Sequence, residues 1–379
     1  MTAETTARHS RRSARAGVKK PDTATRAAEN PTGIGGSIDS RIAAEDPGTL
    51  RELYREMLFV RRFEERTSQS YQQAEIGGYC HLNLGEEATV VGTGAAMRPT
   101  DYLFTNYREH GYALVKGIEP GRVMAELYGR STGTSKGWGG SMHMYDTATR
   151  LLGGYAIVGG QIPLALGAAL AIDYRGDDDV VVCQMGEGTT NIGAFHESLN
   201  IAALWNLPIV FLIVNNQTGM GTTVEKSSAE PDLWKRADSY RMRGERVDGT
   251  DVLAVRDTAR ELIEAARRDG SPALLEAVSH RLKGHSVVDP ARYRSSDAVT
   301  EARDNDPVAR WHTALLRAGV LTEESAAELE DSVAAGVRAA VEFAAASPHP
   351  DPSSLFDYNY ATPVPGDSRR LPADPLFTH

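Results

Sequence analysis

Two short segments carry residue types suited to chemistry. Gly186-Glu187-Gly188-Thr189-Thr190-Asn191 follows one apolar run, and Asn215-Asn216-Gln217-Thr218-Gly219 follows another, with Asn216 lying 29 positions after Glu187. A carboxylate, an amide oxygen and a backbone carbonyl are hard oxygen donors of the kind Mg²⁺ prefers. Two diphosphate oxygens and a water would complete its octahedron. Gly186 and Gly188 permit a tight turn and leave N–H groups free to meet an anion where a helix begins. Each segment alone is weak, because Gly-acid-Gly after a strand and Asn-Asn after a strand are both common turn sequences. Their pairing across a helix of suitable length gives them weight.

Those segments need strands to hold them. Residues 180–185 and 209–214 are continuous runs of β-formers, as expected of strands buried on both faces of a parallel sheet. Residues 195–205 between them have a helical apolar face, and a further helix over 252–266 precedes a strand over 273–278. This predicts an α/β fold with a mostly parallel sheet, helices on both faces, and additional N- and C-terminal helices. Ligands in such sheets lie beyond the carboxyl ends of the strands. Helical spacing also marks Leu50, Leu53, Tyr54, Met57 and Leu58, stopping before Gly77-Gly78, and a second helix opens at Gly85-Glu86-Glu87. Residues 133–140 are too rich in glycine for a regular element and read as a shaped loop. After Pro307 the pattern is helical to about Ala346, with Thr322, followed by Glu323 and Glu324, as a helix start and Leu329, Val333, Val337 and Val341 in one stripe. The chain thus divides into a disordered extension (1–45), an α/β domain (46–306), and a helical region with a tail (307–379).

Bulk properties narrow the classes. A net charge of −10 over 379 residues argues against general nucleic-acid binding. No apolar run is long enough to span a bilayer, and two distant cysteines, Cys80 and Cys183, suit a reducing compartment better than a disulfide framework. The first residues have the Arg and Ser of a mitochondrial transit peptide, but Glu4, Asp22 and Glu29 count against one, and a disordered extension is preferred. No Gly-x-Gly-x-x-Gly with a suitably placed acid supports a nicotinamide site.

The paired segments match the thiamine diphosphate motif, and the surrounding sequence resembles the alpha subunits of the E1 component of 2-oxo acid dehydrogenases. The resemblance runs from about residue 50 to 350. It includes Cys80-His81-Leu82, Gly85-Glu86-Glu87-Ala88, Asn106-Tyr107-Arg108-Glu109-His110-Gly111, Lys136-Gly137-Trp138-Gly139-Gly140-Ser141-Met142-His143-Met144, Ile157-Val158-Gly159-Gly160-Gln161 and Gly284-His285-Ser286. It implies the thiamine-diphosphate-binding fold, with thiamine diphosphate and Mg²⁺ as cofactors. Glu187, Asn216 and the carbonyl of Thr218 would hold the metal. Gly188, Thr189, Tyr107 and Arg108 would meet the cofactor, Arg108 and Arg281 on its diphosphate, with the backbone near Ala156 and Val158 against its aminopyrimidine. His81 and His285 would face the substrate as proton donors or electrostatic stabilisers, His285 touching the cofactor as well. His143 and His196 read as structural, and His110 is left open.

The sequence departs from the family pattern at Glu187, commonly Asp, at Ala156, often Gly, at Thr218, often Tyr, and at Lys283, often His. These bear on which substrate is used. The resemblance implies oxidative decarboxylation of pyruvate and acyl transfer to a lipoyl group on an E2 partner. Acetoin and branched-chain 2-oxo acids are the alternatives, and a non-catalytic cofactor-binding subunit is a third. The carboxylate required at N1′ of the aminopyrimidine would come from a beta subunit, in an α2β2 heterotetramer. The setting implied is bacterial cytoplasm, or the mitochondrial matrix in a eukaryote. Residues 284–306 are polar and read as a mobile loop over the site entrance.

Overall fold

The continuous apolar runs become the middle of a sheet in a computed structural model that describes residues 37–355. Strands β1 (Tyr102–Asn106), β2 (Leu151–Tyr155), β3 (Val181–Gly186), β4 (Ile209–Asn215), the short antiparallel pair β5 (Thr218–Gly219) and β6 (Thr222–Thr223), β7 (Arg243–Asp248) and β8 (Ala273–Val278) follow in chain order. Six of them form one wholly parallel sheet in the order β2-β1-β3-β4-β8-β7.

The helices are α1 (Ile38–Ala44), α2 (Pro47–Gln72), α3 (Glu87–Ala96), α4 (His110–Val115), α5 (Pro120–Leu127), α6 (Gln161–Arg175), α7 (Gly193–Trp205), α8 (Val224–Ser227), α9 (Val252–Asp269), α10 (Ser296–Asp304), α11 (Pro307–Arg317) and α12 (Glu323–Ala346). Successive side chains on a strand point to opposite faces, and the two cores follow that rule. Val182, Val210, Leu212, Val214 and Leu275 pack in one cluster with residues of α2, α3, α9 and α12. Val181, Cys183, Met185, Ile209, Phe211 and Ile213 pack in the other, with α6 and α7.

Start signals are local. Asp46 accepts from Thr49 N ahead of Pro47, and Asp251 accepts from Leu253 N and Ala254 N. Thr322 and Ser325 cap α12 reciprocally, a contribution of roughly 1 kcal/mol for such a cap.

The structure corrects the sequence reading at two places. Order does not wait for Asp46: α1 begins at Ile38, with Ser37 as its cap, so only 1–36 of the expected extension lie outside the described residues. The stretch 284–306 is not all loop, because α10 occupies its second half, capped by Ser295. The helical region after Pro307 holds two helices, broken at 318–322 where Gly319 takes φ +69°, and the second starts at the expected cap Thr322. Residues 356–379 of the expected tail lie outside the described residues. No described helix is long and apolar enough to cross a membrane.

Candidate active site

β3 and β4 end level with each other, Gly186 beside Val214, so the segments that follow both strands emerge at one edge of the sheet. Glu187 opens a 3-10 turn (Glu187–Asn191), which Thr190 Oγ1 braces by donating to the Glu187 carbonyl at 2.8 Å. From outside, Arg236 donates to the Thr190 carbonyl and to Asn191 Oδ1. Gly188 and buried Thr189 lie in this turn, and a Cβ at Gly188 would meet nothing within 4 Å.

After β4 the chain turns sharply, with Gln217 at φ +71° and its N–H on Asn215 Oδ1. This directs two oxygens at one cation. Arg281 Nη1 donates to the Thr218 carbonyl at 2.9 Å and to Asn216 Oδ1 at 3.3 Å. The Glu187 carboxylate stands nearby, since a Cβ on Gly219 would lie 3.6 Å from its Oε1. The sequence reading puts Arg281 on the diphosphate; in the structure its guanidinium sits on the oxygens expected to face the metal. Its Nη2 also meets the hydroxyl of Tyr293 at 3.0 Å.

A second group forms the rim. The rings of His81 and Tyr107 lie 4.4 Å apart, those of His81 and His285 5.1 Å, and those of Tyr107 and His285 5.8 Å. Arg108 is buried, donating to the carbonyls of Leu82 and His285. Burial, then the Arg108 charge, depresses His81 to about 3, and the same two causes with Arg281 depress His285 to about 4. Both rings are therefore neutral at pH 7. Burial raises the Glu187 carboxyl, and Glu86 adds to that while Arg281 and Arg108 oppose it. Desolvation lowers Arg281, with Arg108 as the next cause. Two buried guanidinium groups that repel each other favour an anion between them.

The sequence-predicted residues Glu187, Asn216, Thr218, Arg281, Arg108, Tyr107, His81 and His285 thus come together. Ala156 and Val158 arrive on a separate loop after β2. That loop abuts the turn at Gly159 (φ +77°), where a Cβ would strike Ile192 and approach Thr189.

Supporting acids were not legible as such in the sequence. Glu126 is fully buried in α5, and its two oxygens accept the N–H groups of Ser135, Gly137, Gly139 and Gly140 at 2.7–3.0 Å. One carboxylate thereby shapes the glycine-rich loop. His110, left open by sequence, is buried: its Nδ1 lies 2.9 Å from Glu64 Oε2 and its Nε2 2.8 Å from Ser141 Oγ. Ser141 Oγ in turn accepts the His81 N–H, so this network braces the segment that carries His81. His143 joins the loop through its carbonyl, which accepts from Ser135 Oγ, and His196 is an exposed helix residue bonded to Tyr240.

Comparison with known proteins identifies relatives across most of the chain. A family model described as "Dehydrogenase E1 component" matches residues 55–353. The chain is 42% identical over 336 residues (84% of this chain, 97% of the relative) to a Rhizobium meliloti (strain 1021) protein named pyruvate dehydrogenase E1 component subunit alpha. Proteins of the same name from Rickettsia bellii (strain RML369-C) and Zymomonas mobilis subsp. mobilis (strain ATCC 31821 / ZM4 / CP4) are 39% and 42% identical. They match over 81% and 82% of this chain and 94% and 88% of their own lengths.

Proposed function

The chain belongs to the dehydrogenase E1 component family, and from that premise we propose how its residues serve the reaction. It is an E1 alpha subunit that acts with a beta subunit in the thiamine-diphosphate-dependent oxidative decarboxylation of pyruvate. The acyl group is delivered to a lipoyl group on an E2 partner. When bound, thiamine diphosphate supplies the carbon nucleophile and the electron sink that the decarboxylation needs.

The chain's own residues bind and orient. Glu187, Asn216 Oδ1 and the Thr218 carbonyl would hold Mg²⁺. The observation that carries this reading is the convergence of the Asn216 and Thr218 oxygens on a single cationic nitrogen, with a buried carboxylate at hand. Such a set matches the oxygen preference of Mg²⁺, which takes few protein ligands when phosphates supply the rest. Arg108 and Arg281 neutralise the diphosphate, and Gly188 and Thr189 offer it a turn with open space. The backbone near Ala156 and Val158 would meet the aminopyrimidine. His81 and His285 would face the 2-oxo acid as neutral rings; each has a buried Nδ1 without a hydrogen-bond partner. Tyr107, in ring contact with both, would meet the cofactor.

The beta subunit contributes the carboxylate at N1′ and completes an α2β2 heterotetramer. Support comes from an apolar face on the neighbouring helices α6 and α7, where Leu164, Leu170, Tyr174, Leu204 and Trp205 are exposed. Large exposed apolar patches mark interaction surfaces.

The test is calorimetric titration of thiamine diphosphate into the co-expressed alpha–beta pair, with and without Mg²⁺, beside Glu187→Ala. Binding should require Mg²⁺, and the substitution should weaken it by more than the roughly 10- to 100-fold typical of removing an outer partner of a metal site. Equal binding without Mg²⁺, or by the variant, would refute the metal assignment.

A further inference from the structure

We propose that Glu86 is a positioning residue: it turns the Asn216 amide so that Oδ1, not Nδ2, faces the metal position, and it tethers that position to Arg108. The inference rests on the metal assignment proposed above for Asn216.

Glu86 sits at the N-cap of α3 yet makes no cap hydrogen bond with its side chain. Its carboxylate goes inward instead and is 1% exposed. The preceding turn leaves little freedom, because Gly85 takes φ +98° and a Cβ there would lie 2.0 Å from the His280 carbonyl. Asn216 Nδ2 donates to Glu86 Oε1 at 2.8 Å, and Asn83 Nδ2 donates to Glu86 Oε2 at 3.2 Å. Arg108 Nε lies 3.7 Å from Oε1. Asn83 is fixed on its other side, where Oδ1 accepts the Gly111 N–H at 3.0 Å. Glu86 is therefore held from one side by an amide of settled orientation and passes that orientation to Asn216.

An asparagine amide has two ends of similar shape and opposite chemistry. Rotated by half a turn, Asn216 would present N–H groups to a cation. A carboxylate, which can only accept, beside Nδ2 excludes that rotamer. It also places negative charge behind a metal ligand, which strengthens the ligand oxygen as outer partners of metal sites do. A neutral amide at position 86 would offer one acceptor where two donors now arrive, leaving either Asn83 or Asn216 unmatched.

The test exchanges the polarity of this hydrogen bond in the alpha–beta pair. Mg²⁺ affinity is read by titrating Mg²⁺ at fixed thiamine diphosphate and following heat, with thermal unfolding of each cofactor-free variant to check folding. Glu86→Gln should weaken Mg²⁺ binding about tenfold. Asn216→Asp alone should also weaken it, because its carboxylate then faces that of Glu86. The double variant Glu86→Gln/Asn216→Asp should recover most of the loss, since the amide at 86 can donate to the carboxylate at 216. A residue with a merely structural role would give additive losses. If Glu86→Gln fails to assemble, Glu86→Asp, which keeps the charge but withdraws it from Asn216, serves instead and should also lose Mg²⁺ affinity. Unchanged affinity in the single variant, or additive losses in the double, overturns the proposal while leaving the metal site standing. Failure of the unaltered pair to bind Mg²⁺ removes the metal assignment and this proposal together.

Discussion

His81 and His285 are kept from protonating by burial and by the guanidinium groups beside them. Their folded pKa values, about 3 and about 4, lie below the value near 6.5 expected of an unfolded histidine. Between those limits the unfolded chain binds protons that the folded chain does not, so stability falls as pH drops from about 6.5 toward 4. His81→Gln removes one such group. Chemical denaturation at a series of pH values should therefore give a shallower loss of stability with acid than in the unaltered protein. An unchanged slope would mean that His81 is solvated and titrates normally. At this scale the sequence was informative about identity and weak about posture. It named Glu187, Asn216, Thr218 and Arg281, but the hydrogen bonds of Arg281 to the Thr218 carbonyl and the Asn216 amide oxygen depend on distances that spacing along the chain does not carry.

At the scale of elements, buried acids act as fasteners. Arg61 of α2 pairs with Glu87 of α3 at 2.7 Å and makes a two-pronged contact with Asp306, which caps α11. Arg61→Met would strand a fully buried carboxylate at Glu87, a change that costs about 3–5 kcal/mol when one partner of a buried pair is removed. Urea denaturation measures it, and a loss under about 1 kcal/mol would indicate that water reaches the pair. Glu126→Ala deprives four loop N–H groups of their acceptor. Limited proteolysis should then cut within 129–143, with stability lowered by about 2 kcal/mol or more. Protection equal to that of the unaltered chain would show that the glycine-rich loop keeps its shape unaided.

Elements also explain what sequence reading caught. β3, β4 and β8 are buried runs of β-formers and were legible. β7, Arg243–Asp248, is a charged edge strand with no apolar run, and β2 contains Gly153-Gly154, so neither carried the expected signal. α6 was missed because apolar residues lie on both its buried and exposed sides, which blurs helical periodicity. α10 was missed because only Ala302 of its nine residues is buried.

Over the whole molecule, the exposed apolar side chains of α6 and α7 are the surface proposed above to meet the beta subunit. Leu164→Glu together with Leu204→Glu changes side chains that are 51% and 67% exposed in the subunit, so its fold should be little affected. Co-purification with the beta subunit should fall sharply, and size-exclusion chromatography would register free subunits. Undiminished complex would place the interface elsewhere. The site itself draws on positions 81, 108, 187, 216 and 281, each delivered by a different stretch of chain. A ligand held by all of them is a non-covalent cross-link between segments up to 200 positions apart. It binds only the folded chain, so at a hundred times its dissociation constant it adds about 2.7 kcal/mol to stability. Vitamin supply would thereby be coupled to protein lifetime: in a thiamine-starved cell the subunit would spend more time open to proteases, and its abundance would decline along with its activity.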